Sequence, residues 1–193
     1  MVRAVIFDLN GVFIQSPLLS ERFQKDFGVS IDKFVPALSD VMSKARLPKA
    51  RDVFDYWKPY FKEWNVSLDR EKFFDYWFGA EKENKTMVDY VLKLKKKGYK
   101  IFALSNNFRE RTDYYAQNFK FLNKVFDGVY YSWQTGFAKP DERAYRMILD
   151  DNGLKASDCF YFDDSDKNVE SAKKLGINAF KFKNLDEIVK VLG

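Results

Sequence analysis

The stretch AVIFDLNGVFI, residues 4–14, decides the fold. Ala4, Val5, Ile6 and Phe7 form an apolar run that is continuous rather than alternating. That is the pattern of a short strand buried on both faces, as in parallel sheets covered by helices on each side. Asp8 ends the run abruptly. Asn10 and Gly11 follow, and then a second apolar run. Ligands of parallel α/β sheets bind beyond the carboxyl ends of the strands. A carboxylate at that point therefore asks for a chemical reason, and so does an amide where a second carboxylate would be useful.

The rest of the chain supplies the other strands. The pattern predicts strands over Lys100–Leu104, Val125–Tyr131, Cys159–Phe162 and Asn178–Phe182. Between them it predicts helices around 87–94, stopped by Lys95-Lys96-Lys97-Gly98, and over 109–118, 141–150, 168–175 and 185–192. Alternating strands and helices predict an α/β fold with a Rossmann-like parallel sheet and right-handed crossovers.

Residues 16–83 break the alternation. Large apolar residues recur there at helical spacing, as in Phe23 and Phe27, Phe54 with Trp57 and Phe61, and Phe73 with Trp77. Pro17, Pro36, Pro48 and Pro59 suggest several short helices rather than a long one. The economical account is an all-helical unit inserted over 16–83, with 1–15 and 84–193 forming the α/β core. Aromatic residues concentrate between Phe54 and Phe78, and most should build the core of this small unit. A few could line a substrate face or a dimer interface, so a monomer and a homodimer both stay open. Arg46, Lys49 and Arg51 could reach a substrate anion, though solvated surface is the simpler reading.

Composition narrows the chemistry. The chain has 193 residues, 46% of them hydrophobic, and a net charge of +5 with its lysines dispersed among acids. A focused basic patch is the usual footprint of nucleic-acid binding, and it is absent from the sequence. With no histidine, imidazole catalysis and His-ligated zinc are excluded. The lone cysteine, Cys159, permits no internal disulfide and reads as a small buried hydrophobe. No apolar run approaches a membrane span, and the first residues do not read as a signal peptide. A soluble, cytoplasmic protein is expected.

Polar residues gather at the expected strand ends: Asp8 and Asn10, then Ser105 and Asn106, then Asp163 and Asp164. Each alone is most simply a cap or turn residue. Together they make a compact site. Carboxylates facing one point repel unless a cation sits among them, and an all-oxygen ligand set suits Mg²⁺. A carboxylate beside such an ion can attack phosphorus, while the Ser105 hydroxyl, backbone N–H groups and Lys139 of Gly136-Phe137-Ala138-Lys139-Pro140 can hold the phosphoryl oxygens.

Four motifs in order, FDLNGV (7–12), LSNN (104–107), the lysine of GFAKP (136–140) and FDDSDKNVESAKKLG (162–176), resemble the haloacid dehalogenase-like superfamily. The helical insertion after the first motif looks like that family's C1 cap, and the pattern is similar to its subfamily I phosphatases. The resemblance implies roles by position. Asp8 would be the nucleophile that becomes aspartyl-phosphate. Ser105 and the Asn106 backbone would bind phosphate, and Lys139 would steady nucleophile and phosphate together. Asp164 would be the main metal carboxylate, with Asp163 joining through water and the Asn10 main-chain carbonyl as a further ligand.

Asn10 departs from that pattern. Family phosphatases usually carry aspartate there, as general acid for the leaving oxygen and then as general base for water. A neutral amide cannot transfer that proton. Three explanations compete: a native, attenuated or specialised phosphatase; a substitution that traps the phosphoenzyme; or a binding module that retains the pocket. A metal-independent dehalogenase, whose halide needs no proton, is the other enzymatic reading. The Asp163-Asp164 pair opposes it, because uncompensated carboxylates would dull Asp8 as a nucleophile.

Overall fold

The structure, a computed structural model, describes residues 3–193. The chain begins with β1 (Ala4–Phe7) and β2 (Ile14–Gln15). It then runs through four helices: α1 (Leu19–Phe27), α2 (Ile31–Ala45), α3 (Val53–Glu63) and α4 (Arg70–Phe78). It returns through β3 (Lys82–Glu83), α5 (Lys85–Lys96), β4 (Lys100–Ser105), α6 (Arg109–Asn118), the short α7 (Leu122–Val125) and β5 (Gly128–Tyr131). The last third contains α8 (Ser132–Thr135), α9 (Glu142–Asp151), β6 (Cys159–Asp163), α10 (Asp166–Lys174), β7 (Asn178–Lys181) and α11 (Leu185–Leu192).

All residues of β1 are buried, as a continuous apolar run requires. The strand lies at the centre of a five-stranded sheet of order β5-β4-β1-β6-β7. Its pairs with β4 and β6 are parallel, with Phe7 opposite Ala103 on one side and Phe162 on the other. From β1 the chain moves outward through β4 to β5, then crosses to β6 and β7 on the other side. That reversal makes the carboxyl end of β1 the topological switch point, where α/β sheets open a crevice. Separate apolar clusters pack the two faces, one around Phe7, Phe13 and Phe126, the other around Ile6, Tyr145 and Tyr161.

Helices α1–α4 have their own core, in which Phe23, Phe34, Trp57, Phe61 and Phe73 are buried and their rings interlock. Trp57, Phe61, Phe73, Trp77 and Phe78 are buried, and the other large aromatics between Phe54 and Phe78 are half-buried against them. Phe108 of the loop after β4 joins this cluster, its ring 5.3 Å from that of Trp77.

Two expectations need correction, and one element was unforeseen. Pro36 and Pro59 lie inside α2 and α3 rather than between helices. An interior proline costs roughly 3 kcal/mol, and burial of Phe34, Ala37 and Val41 on one helix and Trp57 and Phe61 on the other offsets it. The strand expected from Val125 begins only at Gly128. Asp127 turns the chain into the sheet by donating its N–H to the Ile101 carbonyl and accepting the Ile101 N–H, both at 2.7 Å. The antiparallel β2–β3 ribbon, with Ile14 opposite Glu83, was not expected. It carries the chain out to the helical insertion and back, in strands too short to leave a periodic signal. Cys159 is buried as expected. No helix among the described residues is long and apolar enough to cross a membrane.

Candidate active site

Because β1 lies between β4 and β6, the residues that end these strands share one rim. The Asp8 N–H donates to the Phe162 carbonyl at 2.9 Å, which prolongs the β1–β6 pairing by one residue and fixes where the Asp8 side chain starts. Ser105 and Asp163 are the last residues of β4 and β6, and Asp164 follows. Oxygens of Asp8, Asp163 and Asp164 lie within 4.8 Å of one another.

Lys139 enters from the loop after α8. The Asn106 side chain clamps its backbone, donating to the Lys139 carbonyl and accepting its N–H, each at 2.7 Å. Its ammonium then bridges two acids, 2.9 Å from Asp8 Oδ1 and 2.7 Å from Asp163 Oδ2. Asp163 is saturated. Besides Lys139 it accepts the Tyr161 hydroxyl, the Ser165 N–H at 2.8 Å and the Asn168 amide at 3.0 and 3.1 Å. Asp8 Oδ1 also accepts the Leu9 N–H at 2.7 Å. Among the described residues, Asp8 Oδ2 has no protein donor.

The electrostatics follow from burial and like charge. Burial pushes the Asp8 carboxyl up to about 6; Lys139 opposes the rise and Asp163 adds to it. Asp164, the most exposed of the three acids, is also raised, by its partial desolvation and by the Asp163 charge. For Asp163, burial is outweighed by Lys139 and by its donors, so it stays ionised. Lys139 is held charged in the same way, with Asp8 and Asp163 overcoming burial. One ammonium thus serves a wider acidic cluster, and the surplus negative charge favours a cation.

The backbone leaves room for one. Gly11 adopts a left-handed φ of +82°, and a Cβ there would lie 2.9 Å from Asp164 Oδ2. A side chain at position 11 would thus fill the space beside the cluster. The donors present are oxygens only, which fits a hard divalent cation such as Mg²⁺.

Asn10 is held at three points. The Asn107 side-chain oxygen accepts the Phe108 N–H at 3.0 Å, so the side-chain nitrogen must face Asn10. There it donates to Asn10 Oδ1 at 3.3 Å, as does the Ser105 hydroxyl at 3.3 Å. The Asn10 nitrogen is thereby turned to the Tyr115 hydroxyl, 2.6 Å away. Behind Tyr115, Arg111 pairs with Glu81, whose side chain is wholly buried.

The structure therefore brings Asp8, Asn10, Ser105, Asn106, Lys139, Asp163 and Asp164 to one rim. Sequence reading missed Asn107, Tyr115, Tyr161 and Asn168. Tyr161 did leave a signal: a phenol two residues before Asp163 in a strand shares its face. Asn107 lay inside the LSNN motif and Asn168 inside the stretch 162–176, but neither had been given a role. Tyr115 depends on helix docking and left no signal.

A family description, haloacid dehalogenase-like hydrolase, matches residues 2–176. The pig protein bifunctional epoxide hydrolase 2 is 26% identical over the whole of this chain, which spans only 39% of that protein. D-ribitol-5-phosphate phosphatase of Bacteroides thetaiotaomicron is 28% identical over 102 residues, 50% of this chain and 49% of the relative. A HAD family enzyme of the same bacterium, solved with magnesium and inorganic phosphate, superposes with a TM-score of 0.76 at 21% identity, covering 95% of each chain. The last likeness concerns the fold. The family match spans nearly the entire chain, and with the acidic rim it places this protein among the haloacid dehalogenase-like hydrolases.

Proposed function

We propose that the protein is a Mg²⁺-dependent phosphatase that hydrolyses a small phosphorylated metabolite, a sugar phosphate being the first candidate, through an aspartyl-phosphate at Asp8. The observation that carries this reading is the Asp8–Lys139–Asp163 triad with Asp164 beside it. Asp8 keeps one oxygen free for attack while Lys139 and the Leu9 N–H orient the other. Ser105, the Asn106 backbone and Lys139 would hold the phosphoryl oxygens. Asp8, Asp164 and the Asn10 carbonyl would hold Mg²⁺, which supplies neutralising charge to the acids and the phosphate. Asp163, with both oxygens engaged by protein donors, would position Lys139 and reach the ion only through water. Residues 16–83 would act as the cap over this core and choose the leaving group.

The test is a screen of phosphorylated metabolites with and without Mg²⁺. Phosphate release that needs the ion supports the reading, and release of halide without the ion would replace it with a dehalogenase.

Two results should follow. Asn10 offers no proton, and general acid–base catalysis is typically worth about 10²–10⁴-fold. The Asn10→Asp variant should gain about 10²-fold or more on alkyl phosphates, and less on aryl phosphates, whose leaving groups need less protonation. Steady-state rates on both classes check this. No gain on any substrate would favour a binding module. Gly11→Ala should raise the Mg²⁺ concentration for half-maximal activity about 10-fold or more, because its Cβ displaces Asp164, and support groups of metal ligands typically matter by about 10–100-fold. A magnesium titration of activity reads this out, and an unchanged midpoint would remove position 164 from the ligand set.

A further inference from the structure

Asn10 is held by a chain of hydrogen bonds whose direction can be followed inward. Its Oδ1 accepts from Ser105 and Asn107, so its Nδ2 donates to the Tyr115 hydroxyl at 2.6 Å. Tyr115 is fully buried. Its hydroxyl acts here as an acceptor and still has its own proton to place.

Glu81 stands behind it. This residue lies where the chain returns from the insertion, between α4 and β3, and its side chain is wholly buried. Nε and a terminal nitrogen of Arg111 both donate to Glu81 Oε1, whereas Oε2 is buried without a donor among the described residues. Arg111 precedes Tyr115 by one turn of α6, with its guanidinium 5.5 Å from the Tyr115 ring centre, which brings Glu81 beside that ring. Burial raises the Tyr115 hydroxyl well above its ordinary range; Arg111 opposes the rise, and Glu81 adds to it by charge and as an acceptor. A proton without an acceptor and a carboxylate oxygen without a donor thus share one buried place, where leaving either unpaired is costly.

We propose that Tyr115 donates to Glu81 Oε2, and that this pair positions Asn10 and requires an amide at position 10. The relay runs one way. Glu81 can only accept, so Tyr115 donates to it and must accept from position 10. Asparagine supplies that donor, and a carboxylate does not. Asn10 is therefore the residue that its surroundings are built for, where the family resemblance leads one to expect aspartate. An amide at position 81 would reverse the relay. Arg111 would keep its oxygen, its nitrogen would donate to Tyr115, and the hydroxyl would turn to position 10, where a carboxylate would then fit.

The test is urea unfolding of the full chain at pH 8 without metal. Asn10→Asp should raise the equilibrium constant for unfolding about 10–100-fold, the scale of a buried acceptor left without its donor. Glu81→Gln should raise it at least as much, since it also weakens the Arg111 pair. Together the two should be about 10-fold or more less harmful than the product of their separate effects. Tyr115→Phe should remove this compensation, to within about twofold. Compensation that survives Tyr115→Phe would be a through-space exchange of charge, and none with the tyrosine present would mean no relay; either result overturns the proposal. Should a variant fail to fold, the native chain answers by NMR. The Tyr115 hydroxyl proton should exchange slowly with water and give a cross-peak to the Glu81 side chain, and exchange as fast as in a solvated phenol overturns the relay. None of these readouts uses turnover, so a chain that releases no phosphate would end the phosphatase reading and leave the relay standing.

Discussion

Replacing Asp8 by asparagine should abolish turnover without unfolding the protein. Loss of a nucleophile typically costs about 10⁴–10⁶-fold in kcat. Stability should move the other way. In the metal-free chain the Asp8 carboxyl is raised to about 6 by burial first, with Asp163 adding and Lys139 opposing, from an ordinary value of 3.8. A raised carboxyl pKa means that the folded state binds this proton more tightly than the unfolded state. The native chain therefore carries no penalty below about pH 4, acquires it between 4 and 6, and bears all of it above 6. At 1.36 kcal/mol per pH unit the penalty reaches about 3 kcal/mol. At pH 8 without metal, Asp8→Asn should accordingly be as stable as the parent or up to about 3 kcal/mol more so. The advantage should vanish as the pH falls to 4. Urea unfolding at several pH values, beside phosphate-release assays, measures both. A variant that unfolds earlier than the parent at pH 8, or keeps a tenth of its activity, would refute the account.

Lys139→Met should have the opposite effect on stability. The ammonium lies between Asp8 and Asp163 with its side chain only 2% exposed. Methionine fills similar space but leaves two carboxylates facing each other with no cation. Breaking a buried ion pair from one side costs about 3–5 kcal/mol, and that loss is expected at pH 8 in the metal-free chain. It should shrink near pH 5, where Asp8 takes up a proton, and Mg²⁺ should restore part of it by supplying the missing charge. Catalysis should fall about 10²–10³-fold or more, as when a preorganised electrostatic group is removed. Unfolding midpoints with and without magnesium decide the matter. A midpoint unmoved by the substitution would mean that Lys139 does not hold the two acids.

These expectations differ in origin. That Asp8 stands at the end of a buried strand could be read from Ala4–Phe7, because a continuous apolar run has one economical use in an α/β chain. The strands around it and the helix from Leu185 to Leu192 were legible for the same reason: their periodicity is local. The exceptions came from contacts distant along the chain. Asp127 reshaped the start of β5 through a hydrogen-bond pair with Ile101, a residue 26 positions earlier that no pattern announces. Pro36 and Pro59 stayed helical because burial against other helices outweighed their intrinsic cost.

The candidate site divides along the same line. The sequence alone determined which residue types stand at the strand ends, and hence that acids, a hydroxyl and a lysine with no histidine would have to do any chemistry. Only the tertiary structure decided how they divide the work. It saturated Asp163 with donors, left one oxygen of Asp8 free and turned the Asn10 amide onto Tyr115. The physical reason is range. Strand and helix patterns arise from neighbours along the chain, whereas hydrogen-bond saturation and charge balance depend on groups that meet only when α6, α10 and the insertion dock on the sheet.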